Sequence, residues 1–279
     1  MTHPDPTQKA NLLFNLLDNL PLEGYESSFK ILPYSFLKVR FLIGVQTKNI
    51  SKNRFDTICK KMEMPDYCHE LCLEKRAQSN NILFGFEEDG SHCVYKLYLE
   101  FTEKNRAFVY QTKSKAPLLQ YLGFKWDAFD SQKYLVTKYK WFPYISIDHM
   151  MNRLVRLYKQ SNHFQLILIE ELIQKAIRHI DDLVEPYIYL EASDMNTERA
   201  SFDINLYKAG MSIGDIQPFI SQTMNFYDID SRKWEFFLWK IRSKILGHIS
   251  GGYSSSGDLF LSVYYDVFSE QISWRQQRC

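Results

Sequence analysis

The sequence predicts an α+β chain: an antiparallel, barrel-like sheet of repeated hairpins surrounded by helices. Three observations carry that reading. Segments that alternate apolar and polar residues recur along the chain. They come in pairs joined by turn-forming residues, so neighbouring strands run antiparallel. Helical segments separate the pairs, and no βαβ alternation with glycine-rich phosphate loops is present, which argues against a doubly wound parallel sheet.

Gln8, Leu12, Leu13, Leu16, Leu17 and Leu20 recur at helical spacing, so residues 8–20 read as an amphipathic helix ending at Pro21. Residues 35–45 fit a helix or a strand; as a strand, they put Lys38 and Arg40 on one face. Ser51 caps a helix that runs to about Arg76 with a break at Pro65. The first hairpin pairs residues 82–87 with 92–101, turning through Glu88-Asp89-Gly90-Ser91. A second pairs 121–127 with 133–143 through Phe129-Asp130-Ser131-Gln132. Residues 146–183 read as two helices with a break near Ser161-Asn162. The third hairpin pairs 187–193 with 200–208. Two more helices follow at 212–227 and 231–245, the second with Trp234, Phe237, Leu238 and Ile241 at core spacing. The fourth hairpin pairs 248–253 with 258–267.

The 279 residues read as a single α+β domain, 1–279, with an N-terminal helix region at 1–20 and a tail at 269–279. Lysine and arginine number 34 and the acidic residues 33, so no global field favours nucleic acid or an anionic membrane, and any anion site must be local. No apolar run reaches the roughly 18 residues that span a bilayer. Residues 1–9 lack the layout of a signal peptide, and a cytoplasmic protein is expected. Cys68 and Cys72, near His69 and Cys59, suit neither common zinc-finger spacing. They read as reduced thiols on a helix, and no protein-held metal is expected.

The polar faces of the strands are unusual. Lys96, Tyr98 and Glu100 alternate with Tyr95, Leu97 and Leu99. Tyr187, Tyr189, Glu191 and Ser193 alternate with Ile188, Leu190 and Ala192. Ser201, Asp203, Asn205 and Tyr207 form a third such face, and Ser262 and Tyr264 a fourth. A solvated face favours Lys, Glu and Thr; tyrosine mixed with lysine and carboxylate suits the wall of a ligand cavity. Leu97, Leu99, Leu190, Leu206 and Val263 are then expected against helices.

Lys96, Lys125 and one or both of Lys138 and Lys140, with Lys38 and Arg40 as further candidates, would put cations into that cavity. Their desolvation calls for a bound anion, and a diphosphate accepts several charge-assisted bonds. Tyrosine faces also stabilise a cationic intermediate, by about 1–2 kcal/mol each when desolvated. The combination fits a prenyl diphosphate that ionises beside lysines, its allyl cation shielded by rings.

Tyr95-Lys96-Leu97-Tyr98-Leu99 places a basic residue two before a tyrosine, and Asp203-Ile204-Asn205-Leu206-Tyr207 follows that spacing loosely. In this the chain resembles the ABBA, or prenyltransferase-barrel, aromatic prenyltransferases, which include cyanobactin peptide prenyltransferases. The pattern covers about residues 28–268. The resemblance implies helix-and-hairpin units around a ten-stranded barrel, although only four hairpins are visible. Lys138-Tyr139-Lys140 departs from the pattern, and the final strand carries no cation. The expected roles are diphosphate binding by Lys96, Lys125, Lys138 and Lys140, and cation shielding by Tyr98, Tyr189, Tyr207 and Tyr264. Glu100 or Glu191 would orient the acceptor or take its proton. Magnesium would arrive on the diphosphate. The partners would be a prenyl diphosphate and an aromatic or peptide acceptor, with no nucleic acid and no membrane.

Two rivals use the same residues: a binding protein or lyase for an anionic aromatic ligand such as a bilin, and a peptide-binding interaction protein of a biosynthetic pathway. The acidic run Asp181-Asp182-Leu183-Val184-Glu185 has no second acidic motif to face and reads as a helix end. Residues 247–252, rich in glycine, read as a bulge or close approach rather than a phosphate nest. His248 is a candidate for the lumen, more readily as a hydrogen-bonded structural residue.

Overall fold

The computed structural model describes residues 5–89, 92–158, 163–180, 188–195, 197 and 199–269. Ten antiparallel strands close into one barrel in the order β1-β10-β9-β8-β7-β6-β5-β4-β3-β2. The chain builds it from helix-and-hairpin units. α1 (Pro6–Leu17) precedes β1 (Leu22–Leu32) and β2 (Ser35–Gln46). α2 (Lys52–Lys61) and α3 (Asp66–Arg76) precede β3 (Asn81–Asp89) and β4 (His92–Glu100). α4 (Thr102–Thr112) precedes β5 (Leu118–Asp127) and β6 (Tyr134–Trp141). α5 (Ile147–Leu157) and α6 (His163–Ile177) precede β7 (Ile188–Asp194) and β8 (Ala200–Asn205). α7 (Gln217–Phe226) and α8 (Ser231–Ile241) precede β9 (Leu246–Tyr253) and β10 (Leu259–Ser269).

Local chemistry sets these boundaries. Asp5 caps α1 and Ser51 caps α2, each accepting from a backbone N–H of the first turn. Pro65 divides α2 from α3. The ambiguous segment at 35–45 is strand β2, because the hairpin with β1 turns tightly through Pro33 and Tyr34, the latter at φ 62°. That hairpin is the fifth unit, and the sequence reading passed over its first strand.

The apolar faces of the strands point outward. Leu97, Leu99, Phe84 and Phe124 pack with Leu13 of α1, Phe55 of α2 and Cys72 of α3. Phe29, Phe202, Leu206, Ile249 and Val263 pack with Leu154, Ile169, Ile220 and Leu238 of the last four helices. Cys59, Cys68, Cys72 and Cys93 are buried free thiols in the first of these layers, and desolvation raises each thiol. Among the described residues no cluster of three or more potential metal ligands occurs, and no helix is long and apolar enough to cross a membrane.

α4 is different. Its Val109 packs with Trp141 and Leu190, and with Leu118, Tyr121 and Ile188 at their edge. Asn105 donates to the Leu119 carbonyl (2.8 Å) and to the Gln120 side chain (3.0 Å). The helix therefore lies across one end of the barrel rather than along its side. This arrangement corrects the expected face of β7. Ile188 and Leu190 face the lumen, where α4 gives them apolar company. Tyr189 and Glu191 face outward, because Arg153 of α5 pairs with Glu191 through two nitrogens (2.5 and 2.6 Å).

Trp126 ties β5 to the C-terminal end of α2: it is 1% exposed and its indole N–H donates to the Met62 carbonyl at 2.9 Å. Trp126→Ala is expected to lower unfolding stability by about 3–5 kcal/mol. Denaturant titration checks it; a loss below about 1 kcal/mol would show that this layer does not depend on the indole.

Candidate active site

The polar faces of the strands converge on the barrel interior, which holds two joined chambers. The first, about 430 Å³, is cationic. Lys30 of β1, Arg40 of β2, Lys96 of β4, Lys125 of β5 and Arg199 before β8 line it. Glu87 of β3 sits among them. Its carboxylate meets Lys96, the Nε of Arg40 at 2.9 Å and Nζ of Lys30 at 3.9 Å. Burial opposes the charge on Glu87, but the three cations outweigh it and hold the carboxyl well below its usual range. Burial likewise draws Lys96 down, against the pull of Glu87, to about 8. Arg199 lies 3.8 Å from Asp194, the second carboxylate to meet a cation here.

The second chamber, about 360 Å³, is acidic. Glu26 of β1, Glu100 of β4, Asp203 of β8 and His248 of β9 line it, and Arg106 of α4 stands at its edge. His248 bridges two carboxylates, Asp203 at 2.8 Å from Nδ1 and Glu26 at 2.9 Å from Nε2. Burial disfavours its charge, but Asp203 and Glu26 prevail and raise the imidazole well above its ordinary value. Both ring nitrogens therefore donate. Tyr207 donates to the same Glu26 oxygen at 3.1 Å, while Oε1 of Glu26 is buried without a hydrogen bond. Glu100 is better satisfied, by Asn81 (2.8 Å) and Thr102 (2.5 Å).

Tyr98, Tyr139 and Tyr264 form a collar where the chambers meet. Tyr98 and Tyr139 contact edge to face, 5.8 Å between centroids. Tyr264 stacks on His248 at 3.8 Å, and the Arg40 guanidinium lies over its ring at 5.5 Å. Gly123 makes the collar possible: a Cβ there would lie 2.8 Å from ring carbons of Tyr98.

The structure thus brings together Lys96, Lys125, Tyr98, Tyr264, Glu100 and Tyr207 around one cavity. It separates Glu191 and Tyr189, which bond each other (2.9 Å) on the outer face. Lys138 and Lys140 also point outward and are exposed, because β6 presents Tyr139 to the lumen opposite Tyr121 and Ala192. Lys38 is exposed at a bulge that breaks its alternation with Arg40. The sequence reading missed Glu26 and Lys30 with the whole of β1, although Glu26, Ser28 and Lys30 alternate with Ser27, Phe29 and Ile31. It also missed Glu87, Tyr139 and Arg199. Tyr139 was visible as the tyrosine between two lysines; Arg199 stands before its strand, where alternation carries no signal.

No family model and no curated protein matches the sequence. Solved structures do match the fold. A 6-dimethylallyl tryptophan synthase aligns over 94% of this chain and 91% of its own, at 11% identity and a TM-score of 0.57. The 5-dimethylallyltryptophan synthase from Streptomyces coelicolor aligns over 87% and 80%, at 10% identity and 0.55. The NotF prenyltransferase aligns over 87% and 80%, at 10% identity and 0.53. The chain has the prenyltransferase-barrel fold. At such identities the likeness is one of architecture, and the residues of the two chambers must carry the chemistry on their own.

The His248 geometry has a pH consequence. Its value is raised on folding, so its stabilisation is complete below about pH 6.5 and is lost only as pH rises through the raised value. NMR of the ring should therefore show imidazolium throughout the neutral range. A titration centred near 6.5 would contradict the two-carboxylate clamp.

Proposed function

We propose that the protein transfers an allylic prenyl group from a diphosphate donor to an aromatic or peptide acceptor. The observation that supports this most is the pairing of a cationic with an acidic chamber across a collar of tyrosines. The dimethylallyltryptophan synthases that share the fold act, by their names, on tryptophan, which makes an aromatic nucleophile the first acceptor to try.

In this reading the diphosphate lies among Lys30, Arg40, Lys96, Lys125 and Arg199, with Glu87 holding three of those cations in place before substrate arrives. The bond between the allylic carbon and the diphosphate oxygen breaks, and its electron pair leaves with pyrophosphate. Tyr98, Tyr139 and Tyr264 face the resulting cation and shield it from water. The acceptor, in the second chamber, attacks with a π or lone pair, and its proton passes to a carboxylate. Glu26, with an unsatisfied oxygen, is the better placed base; Glu100 is the second candidate. Tyr207 and His248 orient Glu26. Tyr189, Glu191, Lys138 and Lys140 take no part.

A protein-held magnesium does not fit the first chamber. Its carboxylates are already engaged: Glu87 and Asp194 by Lys30, Arg40, Lys96 and Arg199, Asp203 by His248, and Asp127 by the backbone N–H groups of Phe129 and Asp130. A magnesium ion would reach the site on the diphosphate, and no step is assigned to it. The closed barrel removes the open sheet face that a peptide-binding interaction protein would need.

The assay is transfer from dimethylallyl or geranyl diphosphate to tryptophan, indole, phenol and short aromatic peptides, followed by mass. Lys96→Ala should weaken donor binding by about 1.5–3 kcal/mol, roughly ten- to a hundredfold, while Lys140→Ala should leave it unchanged. Glu26→Gln should keep donor binding and lose transfer. Tyr264→Phe should be milder than Tyr264→Leu, since Phe keeps the π face. Absence of added prenyl mass across the panel, with the donor unbound, would overturn the transferase reading and leave a carrier for an anionic aromatic ligand.

A further inference from the structure

Five of the six cations that line the first chamber have a carboxylate within 4.0 Å, Lys133 at the mouth through Asp130. Lys125 is the exception among the described residues. Its cross-strand partner in the β4–β5 ladder is Lys96, so the nearest side chain on the adjoining strand carries the same charge. Lys96 is already held by Glu87 on its other side. Of its other ionic neighbours, Arg199 also repels, while Asp194 and Glu87, with Asp127 two residues along the same strand face, attract from beyond pairing distance. The lysine thus stands in a cavity with two like charges near it and no counter-ion in contact.

We propose that Lys125 meets the donor as a neutral amine and takes up a proton when the diphosphate binds, so that donor capture is coupled to proton uptake at this one residue. The inference rests on the diphosphate reading of the first chamber. The balance is simple: the amine and one proton from solvent become an ammonium, whose N–H groups donate to phosphate oxygens. No covalent bond changes. Burial, then Arg199 and Lys96, depress Lys125 well below the usual lysine range, in accord with the geometry. A diphosphate among the same groups reverses the sign of the local field. Lys96, which Glu87 and burial balance at about 8, keeps its proton below that pH and sets the upper edge of the window. The phenols of Tyr98 and Tyr139, raised by burial, stay neutral there and add no charge of their own.

The device has a function in the reaction. An empty chamber with one fewer charge costs less to keep folded. The charge appears only with a ligand that needs it. As pyrophosphate departs, the same ammonium is beside the oxygen on which negative charge develops.

The test is isothermal calorimetry of the whole chain with dimethylallyl S-thiolodiphosphate, an unreactive donor analogue. At about pH 7.5 its terminal phosphate is ionised, and titrations in buffers of different ionisation enthalpy count protons. Wild type should take up close to one proton per site, and its affinity should fall with rising pH, up to about tenfold per unit. Lys125→Met should bind more weakly, with uptake reduced to the small fraction that Lys96, at about 8, contributes, and with a shallower pH profile. Lys125→Arg, permanently charged, should bind without uptake. Binding by wild type without proton uptake would overturn the proposal and leave the diphosphate site intact, as would uptake of undiminished size in Lys125→Met. Failure of the analogue to bind at all would overturn both.

Discussion

The pairing of β1 with β10 is the contact on which the site depends. It joins residues 24–31 to 261–269, nearly the full length of the chain apart, and it turns an open sheet into a tube. A long-range ladder of this kind is costly in chain entropy. It is sustained by outer layers of helix, since every apolar strand face must meet one. Once closed, the tube has a polar inner face with no route to bulk water except through its mouths. Lys96, Arg40 and Glu87 then sit where charge is expensive unless paired. Closure thereby creates both the cavity and its electrostatic tension.

That tension is distributed rather than cancelled. Glu87 answers three cations and Asp194 one, and among the described residues no carboxylate meets Lys125. In the second chamber three carboxylates face the imidazolium of His248 and the edge guanidinium of Arg106. The lumen therefore carries a charge gradient from one chamber to the other, with the tyrosine collar at the crossing. A ligand with an anionic head and a partner with N–H or O–H donors are oriented by this gradient before any contact forms. Such arrangements sacrifice stability for preorganisation, which suits a binding or catalytic site and nothing structural.

Where the lumen is polar and the outside apolar, alternation in the sequence reveals the face of every residue. β4, β8 and β10 obey this rule, so Lys96, Tyr98, Asp203, Ser262 and Tyr264 were assigned to the cavity from sequence. β7 breaks it. The end of the tube is apolar because α4 lies across it, and the outer face is polar because Arg153 answers Glu191. Neither fact is local to the strand, so Glu191, Tyr189 and Leu190 were placed on the wrong sides. β6 fails for another reason: its outer face at Lys138 and Lys140 meets solvent, so both faces are polar and alternation is silent. β1 was lost although its alternation is intact, because Ser27 puts a polar residue on the outer face and blurs the contrast; the bulges beside Ser27–Ser28 lie on β2 and β10. Glu26, the base in the proposed reaction, was lost with it.

Desolvation explains one more feature of the collar. Burial raises Tyr98 well above the usual phenol value and Tyr139 to about 12. In the proposed reaction a phenolate at this position would be an electron-rich nucleophile beside an allyl cation, and the protein would prenylate itself. A neutral phenol keeps the π face that attracts a cation and withholds the oxygen lone-pair charge that would capture it. The same dry environment that leaves Lys125 uncharged until an anion arrives thus protects the rings beside it. A wetter cavity would undo both effects together, with Lys125 charged before the donor binds and the tyrosines closer to ionisation. The helices that seal the barrel wall and the single helix across its end are, on this argument, part of the chemistry of the lumen as much as of the fold.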